Sequence, residues 1–139
     1  MKFPTTLLRL VSVSVLAASA IACASVPASA QAPLHNVQYT VFAEGPAYLK
    51  IYYRDIDPPN WADYSHNPYV YTPKIETDVG PDQQWNLDVQ LANPEDWAMV
   101  VAQGEPGLTP NVHCVLAVDG VVVKTDQRPK GALCSIRNW

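Results

Sequence analysis

The clearest structural signal in this chain is Val112-His-Cys-Val-Leu-Ala-Val-Asp-Gly-Val-Val-Val-Lys-Thr125. Two runs rich in β-branched residues flank Asp119-Gly120. This dipeptide is typical of the two-residue turn of a β-hairpin, because both turn positions need a positive φ. The sequence therefore predicts two antiparallel strands on either side of the turn, at 112–118 and 121–125.

The cysteine pairing can be argued from this hairpin. If its strands pair up to the turn, Cys114 lies opposite Thr125, so its hairpin partner is not a cysteine. Cys134 must then arrive on the next strand, 132–137, either beside the first hairpin strand or across a sandwich. Two cysteines in an oxidising compartment indicate a disulfide, and a loop of this length stabilises the domain by about 3 kcal/mol.

Alternation of apolar and polar residues predicts further strands before this hairpin. Residues 37–41 and 49–53 are predicted to form a first hairpin around Gly45-Pro46. Residues 85–91 are predicted to form a strand with one face exposed to solvent, and residues 97–102 a central strand that is apolar on both faces. The predicted fold is all-β, a small immunoglobulin-like β-sandwich of about seven or eight antiparallel strands with one disulfide. A small barrel is the alternative.

A proline-rich loop at 54–68 separates these strands, and 69–75 is predicted to resume as an edge strand, where Pro73 is tolerated. Tyrosine and tryptophan side chains, which are large, stiff and amphipathic, concentrate around this loop. The predicted interface residues are Tyr52, Tyr53, Trp61, Tyr64 and Tyr69. The alternative is that most of these rings pack on the sheet beneath the loop.

The N-terminal segment, residues 1–30, has the order of a secretory signal: two basic residues, an uncharged run, and small residues that end at Ala30. Cleavage there leaves the domain at 31–139. Two alternatives are retention of residues 7–28 as an anchor in the plasma membrane and lipidation at Cys23. We expect an exported protein, located in the periplasm or cell envelope or secreted.

Charge excludes some classes of partner. Lys2 and Arg9 lie in the signal segment and every acidic residue follows position 43, so the mature part has a formal charge of 7 − 13 = −6. Nucleic acid is not an expected partner, because its binding needs a basic face. The basic residues near the C-terminus, interpreted as a solvated edge, are Lys124, Arg128, Lys130 and Arg137.

Candidate catalytic residues are few. Ser65 and Ser135 are the serines left after the signal, and neither lies in a Gly-x-Ser-x-Gly elbow. The best candidate for a cation site is a group of carboxylates near His66, but it lacks the glycine hinge and the bidentate glutamate of a calcium loop. Those carboxylates are Asp55, Asp57 and Asp63. We expect a non-enzymatic protein with no metal and no cofactor.

Several short motifs occur in a defined order: Val37-Gln-Tyr-Thr-Val, Ile51-Tyr-Tyr-Arg-Asp55, Trp85-Asn-Leu87, Met99-Val-Val-Ala-Gln-Gly104, Cys114-Val-Leu-Ala-Val-Asp-Gly-Val121 and Cys134. The series spans nearly the whole mature chain and resembles the extracytoplasmic domain of the mycobacterial MmpS family.

The resemblance implies a disulfide-containing β-sandwich in an actinobacterial cell envelope. Its function would be that of a transport accessory protein that assists an MmpL transporter, a resistance-nodulation-division (RND) pump, in exporting siderophores or envelope lipids. The alternative is a freely secreted β-sandwich that binds a small ligand, an amphiphilic cargo or a protein without any transporter.

Overall fold

The computed structural model describes residues 32–138, so the predicted signal segment with Cys23 lies outside the described residues. In chain order the elements are β1 (His35–Ala43), β2 (Ala47–Tyr53), α1 (Trp61–His66), a 3₁₀ helix (Pro68–Tyr71), β3 (Lys74–Val79), β4 (Trp85–Leu91), α2 (Pro94–Trp97), β5 (Met99–Gln103), β6 (Val112–Val118), β7 (Val121–Arg128) and β8 (Gly131–Ser135). Within the described range no helix is long and apolar enough to cross a membrane.

The strands form two antiparallel sheets of four strands each. We call β4-β1-β6-β7 the first sheet and β3-β2-β5-β8 the second sheet. Only two of the strand connections, β2 to β3 and the β6–β7 hairpin, stay within one sheet. The predicted all-β sandwich is therefore confirmed, and the barrel is not formed.

The core lies between the two sheets, because alternate residues of each strand point inward. In β1 the inward side chains of Val37, Tyr39 and Val41 are fully buried. Cys114 of β6 is bonded to Cys134 of β8, with their Cα atoms 6.1 Å apart. The predicted disulfide is confirmed, and of the two arrangements left open it is the one across the sandwich.

The predicted first hairpin is wrong. β1 and β2 lie in different sheets, and the short connection between them crosses the edge of the sandwich. β1 pairs with β4 and β6, whereas β2 pairs with β3 and β5. Alternation identifies a strand and its buried face, but it carries no information about which strand lies alongside.

The β6–β7 hairpin is formed as predicted, with φ of 50° at Asp119 and 80° at Gly120. Its register is not the predicted one. A β-bulge between Leu116 and Ala117 shifts the pairing, so Cys114 lies opposite Asp126 and not opposite Thr125. A bulge inserts one extra residue into one strand, and the flanking sequence gives no local signal for it.

Two other predicted strands begin later than expected. The strand placed at 97–102 begins at Met99, because α2 occupies the residues before it, with Pro94 in its first turn. The edge strand placed at 69–75 is β3, which begins at Lys74 after the 3₁₀ helix. The predicted loop also contains α1, whose first turn is capped by the Asn60 side chain.

Candidate binding face on the second sheet

Each sheet has a row of cross-strand partners centred on a half-buried, outward-facing valine, Val115 in β6 and Val101 in β5. In the first sheet the row is Asn86, Thr40, Val115 and Thr125. In the second sheet the row is Lys74, Tyr52, Val101 and Leu133. Cross-strand partners on one face are in side-chain contact. The first row is therefore polar around its valine, whereas in the second row Val101 lies between the apolar side chains of Tyr52 and Leu133, with Lys74 at the edge of the sheet.

A groove of about 390 Å³ lies on one side of Val101. Its floor includes Tyr52 and Met99 of the second sheet. Its wall is formed by the segment between β2 and β3, which contributes Tyr64 and Tyr69. The segment therefore covers part of a sheet face that would otherwise be open to solvent.

A second groove of about 550 Å³ lies on the other side of Val101. Leu133 and Ala102 contribute to its lining, together with the turn between β7 and β8, residues 128–131. Val101 lines both grooves, so the two lie side by side across the outer face of β2, β5 and β8. We call the surface that contains both grooves the second-sheet face.

Arg54 fixes the covering segment to the end of the sandwich. It follows β2 directly, and its side chain is fully buried. The guanidinium donates to the carbonyl oxygens of Trp97 and Tyr71 and to Thr72 Oγ1, at 3.2, 3.4 and 3.3 Å. It also lies 4.4 Å from the centroid of the Tyr64 ring, a cation–π contact.

The backbone of Arg54 is held from inside the core. Its carbonyl oxygen accepts a hydrogen bond of 2.7 Å from the Tyr39 hydroxyl, which in turn accepts from the Met99 N–H at 3.3 Å. Burial lowers the pKa of Arg54 and raises the pKa of Tyr39, since each charged form loses hydration. Both shifts leave these groups in their usual forms at neutral pH, a charged guanidinium and a neutral phenol.

An aromatic cluster supports the same segment. The rings of Trp61 and Tyr64 of α1 pack against Trp97 of α2, with centroids 6.2 and 5.5 Å away. The guanidinium of Arg137 stacks on the outer ring, 4.2 Å from the Trp61 centroid. α1 is thereby held between two guanidinium groups, those of Arg54 and Arg137.

The predicted interface residues separate into three groups. Tyr52, Tyr64 and Tyr69 line the first groove, and Tyr69 is 84% exposed. Trp61 is 48% exposed and belongs to the aromatic cluster. Tyr53 packs against the core, with its ring 5.6 Å from that of Trp85. The structure therefore brings three of the five to one surface.

Sequence reasoning missed Arg54, Trp97, Val101 and Leu133. A signal for Val101 was available, because the predicted central strand is apolar on both faces. In an antiparallel sheet one face is commonly wet, so such a strand indicates a second covered or binding face. No comparable local pattern marked Arg54 as a buried anchor.

Two of the candidate cation-binding residues, Asp57 and Asp63, have structural contacts. Asp57 accepts the backbone N–H groups of Ala92 and Asn93 at 2.6 and 3.0 Å and so ties the loop to the end of β4. Asp63 accepts from the Asn60 side chain in the cap of α1. Among residues 32–138 no group of three or more His, Cys, Asp or Glu is placed to hold a metal ion.

The fold and these contacts define a small, disulfide-bonded β-sandwich domain. The chain belongs to the family of the Rv2576c β-sandwich domain, whose family model matches residues 39–134. Its relatives include the uncharacterized proteins Rv2576c of Mycobacterium tuberculosis and Mb2606c of Mycobacterium bovis. Each is 35% identical over 116 residues, which cover 82% of this chain and 75% of the relative.

The predicted membership of the MmpS family is therefore wrong, because the family model that matches is that of the Rv2576c β-sandwich domain. The motifs that carried the resemblance lie on strands and turns. Val-Asp-Gly-Val, for example, is typical of tight β-hairpins in general, with two residues that accept a positive φ between β-branched flanks. Such motifs report a shared architecture and do not separate one sandwich family from another.

Proposed function

We propose that this protein is an exported, non-enzymatic binding protein that holds an apolar, elongated ligand on the second-sheet face. The observation that carries the proposal is the position of Val101, which lines both grooves and has Tyr52 and Leu133 as its cross-strand neighbours. A β-sandwich needs apolar side chains only between its sheets. An apolar row on an outer face therefore favours contact with another molecule.

The contacts of the polar residues support a function without bond-making. Asp57 and Asp63 hold the loop in place, and Ser65 donates to a carbonyl within α1. The order of residues in the N-terminal segment and the disulfide both support export. The predicted MmpL partner depended on MmpS membership, and the Rv2576c family gives it no support.

The two central valines provide the test, because they are the same residue at equivalent positions of the two sheets. We expect Val101→Gln to weaken binding of the neutral apolar dye Nile red about tenfold, since it removes roughly 1.5 kcal/mol of apolar contact. The matched control Val115→Gln should leave the affinity unchanged. Equal effects of the two substitutions, or no saturable binding by the unaltered protein, would contradict the proposal.

A further inference from the structure

The second-sheet face has a basic end, and we infer that its ligand is an alkyl chain that ends in a carboxylate, with Arg128 and Lys130 holding the headgroup. This inference rests on the proposed function and specifies its ligand. It differs from the sequence-based interpretation of the same cations as a solvated edge.

The larger groove has both apolar and basic lining residues. It is lined by Val101 and Ala102 of β5 and by Arg128 and Lys130 of the β7–β8 turn. The turn adjoins the pair of Gln103 with Gly131, two residues along β5 from the pair of Val101 with Leu133. Arg128 also lines a smaller depression of about 200 Å³, to which Lys124 contributes. A chain that lies along Leu133 toward the turn would therefore reach Arg128 and Lys130.

The backbone that carries these cations is fixed to the neighbouring strands. The carbonyl oxygens of Pro129 and Lys130 accept from the N–H groups of Asn111 and Gly104, at 3.0 and 2.9 Å. Gly131 lies so close to β5 that a Cβ there would be 2.5 Å from the Ala102 carbonyl oxygen, so only glycine fits. The turn is thus held against the groove before any ligand arrives.

Local charge matches a headgroup with one negative charge. The mature part has a formal charge of −6, yet between positions 120 and 139 the only acidic residue is Asp126. Its carboxylate lies 3.0 Å from Nε of Arg128 and accepts the Leu133 N–H at 2.9 Å. Asp126 therefore orients Arg128 and offsets one positive charge. Lys124 and Arg137 line the same smaller depression, so the surroundings of Arg128 keep a net positive charge that a carboxylate can match.

The experiment compares three ligands that share a twelve-carbon tail: dodecanoate, dodecanol and dodecyltrimethylammonium, each below its micelle concentration. Displacement of Nile red should show dodecanoate binding about fivefold more tightly than dodecanol at low salt, and the cationic ligand most weakly. The preference should shrink as salt is added, because the cations are exposed.

A double variant, Arg128→Gln/Lys130→Gln, should lose the preference for dodecanoate and keep the affinity for dodecanol. The control Lys50→Gln removes a cation from the same face of the second sheet at a position that lines neither groove, and it should keep the preference. Equal binding of dodecanoate and dodecanol by the unaltered protein would overturn the inference while leaving the proposed function. Failure of all three ligands to bind would overturn the proposed function itself. Self-association of the protein that is abolished by Val101→Gln would assign the face to a second copy and overturn both.

Discussion

The outer faces of the two sheets differ although each is built around a valine in an inner strand. Val115 of the first sheet has Thr40 and Thr125 as cross-strand neighbours, whereas Val101 of the second sheet has Tyr52 and Leu133. Both sheets contribute buried residues to the core. We interpret the difference between the outer faces as a separation of residues that build the sandwich from those that, in the proposed function, bind a ligand.

Removal of the Arg54 guanidinium should lower the free energy of unfolding more than any other change proposed here, because it would free the segment that covers part of the second sheet. Arg54→Met should lower the free energy of unfolding by about 4 kcal/mol, since two backbone carbonyls lose their donor at roughly 1–3 kcal/mol each and the contact with Tyr64 is lost. Urea unfolding measures the change. Lys50→Met on the preceding strand, β2, is the control, and a loss as small as that of the control would show that Arg54 is not an anchor.

Loss of the disulfide should come next, at about 3 kcal/mol. In Cys114→Ala/Cys134→Ala the clamp between β6 and β8 is absent, so β8, the edge strand that carries Leu133, should open first. Native-state hydrogen exchange should show weaker protection of residues 132–135 than of β4, one of the two edge strands of the first sheet. Equal loss of protection in β4 and β8 would mean that the disulfide stabilises the sandwich as a whole and not this strand.

Tyr69→Ala should separate binding from stability. The ring is largely exposed and lines the first groove, so its removal should weaken Nile red binding about threefold to fivefold and change the free energy of unfolding by less than about 0.5 kcal/mol. Tyr48→Ala is the control, because Tyr48 is outward-facing on β2 but lies outside this groove. If both substitutions weaken binding equally, the covering segment does not form a wall of the site.

Lowering the pH should reduce the stability that two carboxylates of the first sheet contribute, by less than the removal of the Arg54 guanidinium or of the disulfide. A hydrogen bond from His35, with a second from the Asn36 N–H, lowers the pKa of Asp119, and hydrogen bonds from Asn111 and His113 lower the pKa of Glu44. Because both values are lowered by folding, the stability that they contribute is present above the ordinary carboxyl pKa of about 4 and is lost as the pH falls through the folded-state values. Asp119→Asn/Glu44→Gln should therefore flatten the fall of the urea midpoint between pH 5 and pH 3. An unchanged slope would show that these contacts contribute nothing.

The sequence predicts local features of this molecule well. The β6–β7 turn, the strands of the core and the pairing of Cys114 with Cys134 follow from turn chemistry, alternation and the number of cysteines. The partners of β1 and the β-bulge in the hairpin do not, because they depend on how distant strands meet. Arg54 was not predicted, since its contacts come from the segments around Tyr71 and Trp97, which only the fold brings together. Tyr52, Tyr64 and Tyr69 were predicted as one aromatic surface, but the groove that they line required the position of Val101.

Amide chemical-shift mapping tests the central claim most directly, because it observes both sheets in one titration of the isotope-labelled protein. With dodecanoate as the probe, we predict that the largest shifts fall on the second-sheet face, around Tyr52, Val101 and Leu133. The equivalent row of the first sheet, around Thr40, Val115 and Thr125, should remain unchanged. Shifts centred on the first sheet, or spread evenly over both sheets, would contradict the account.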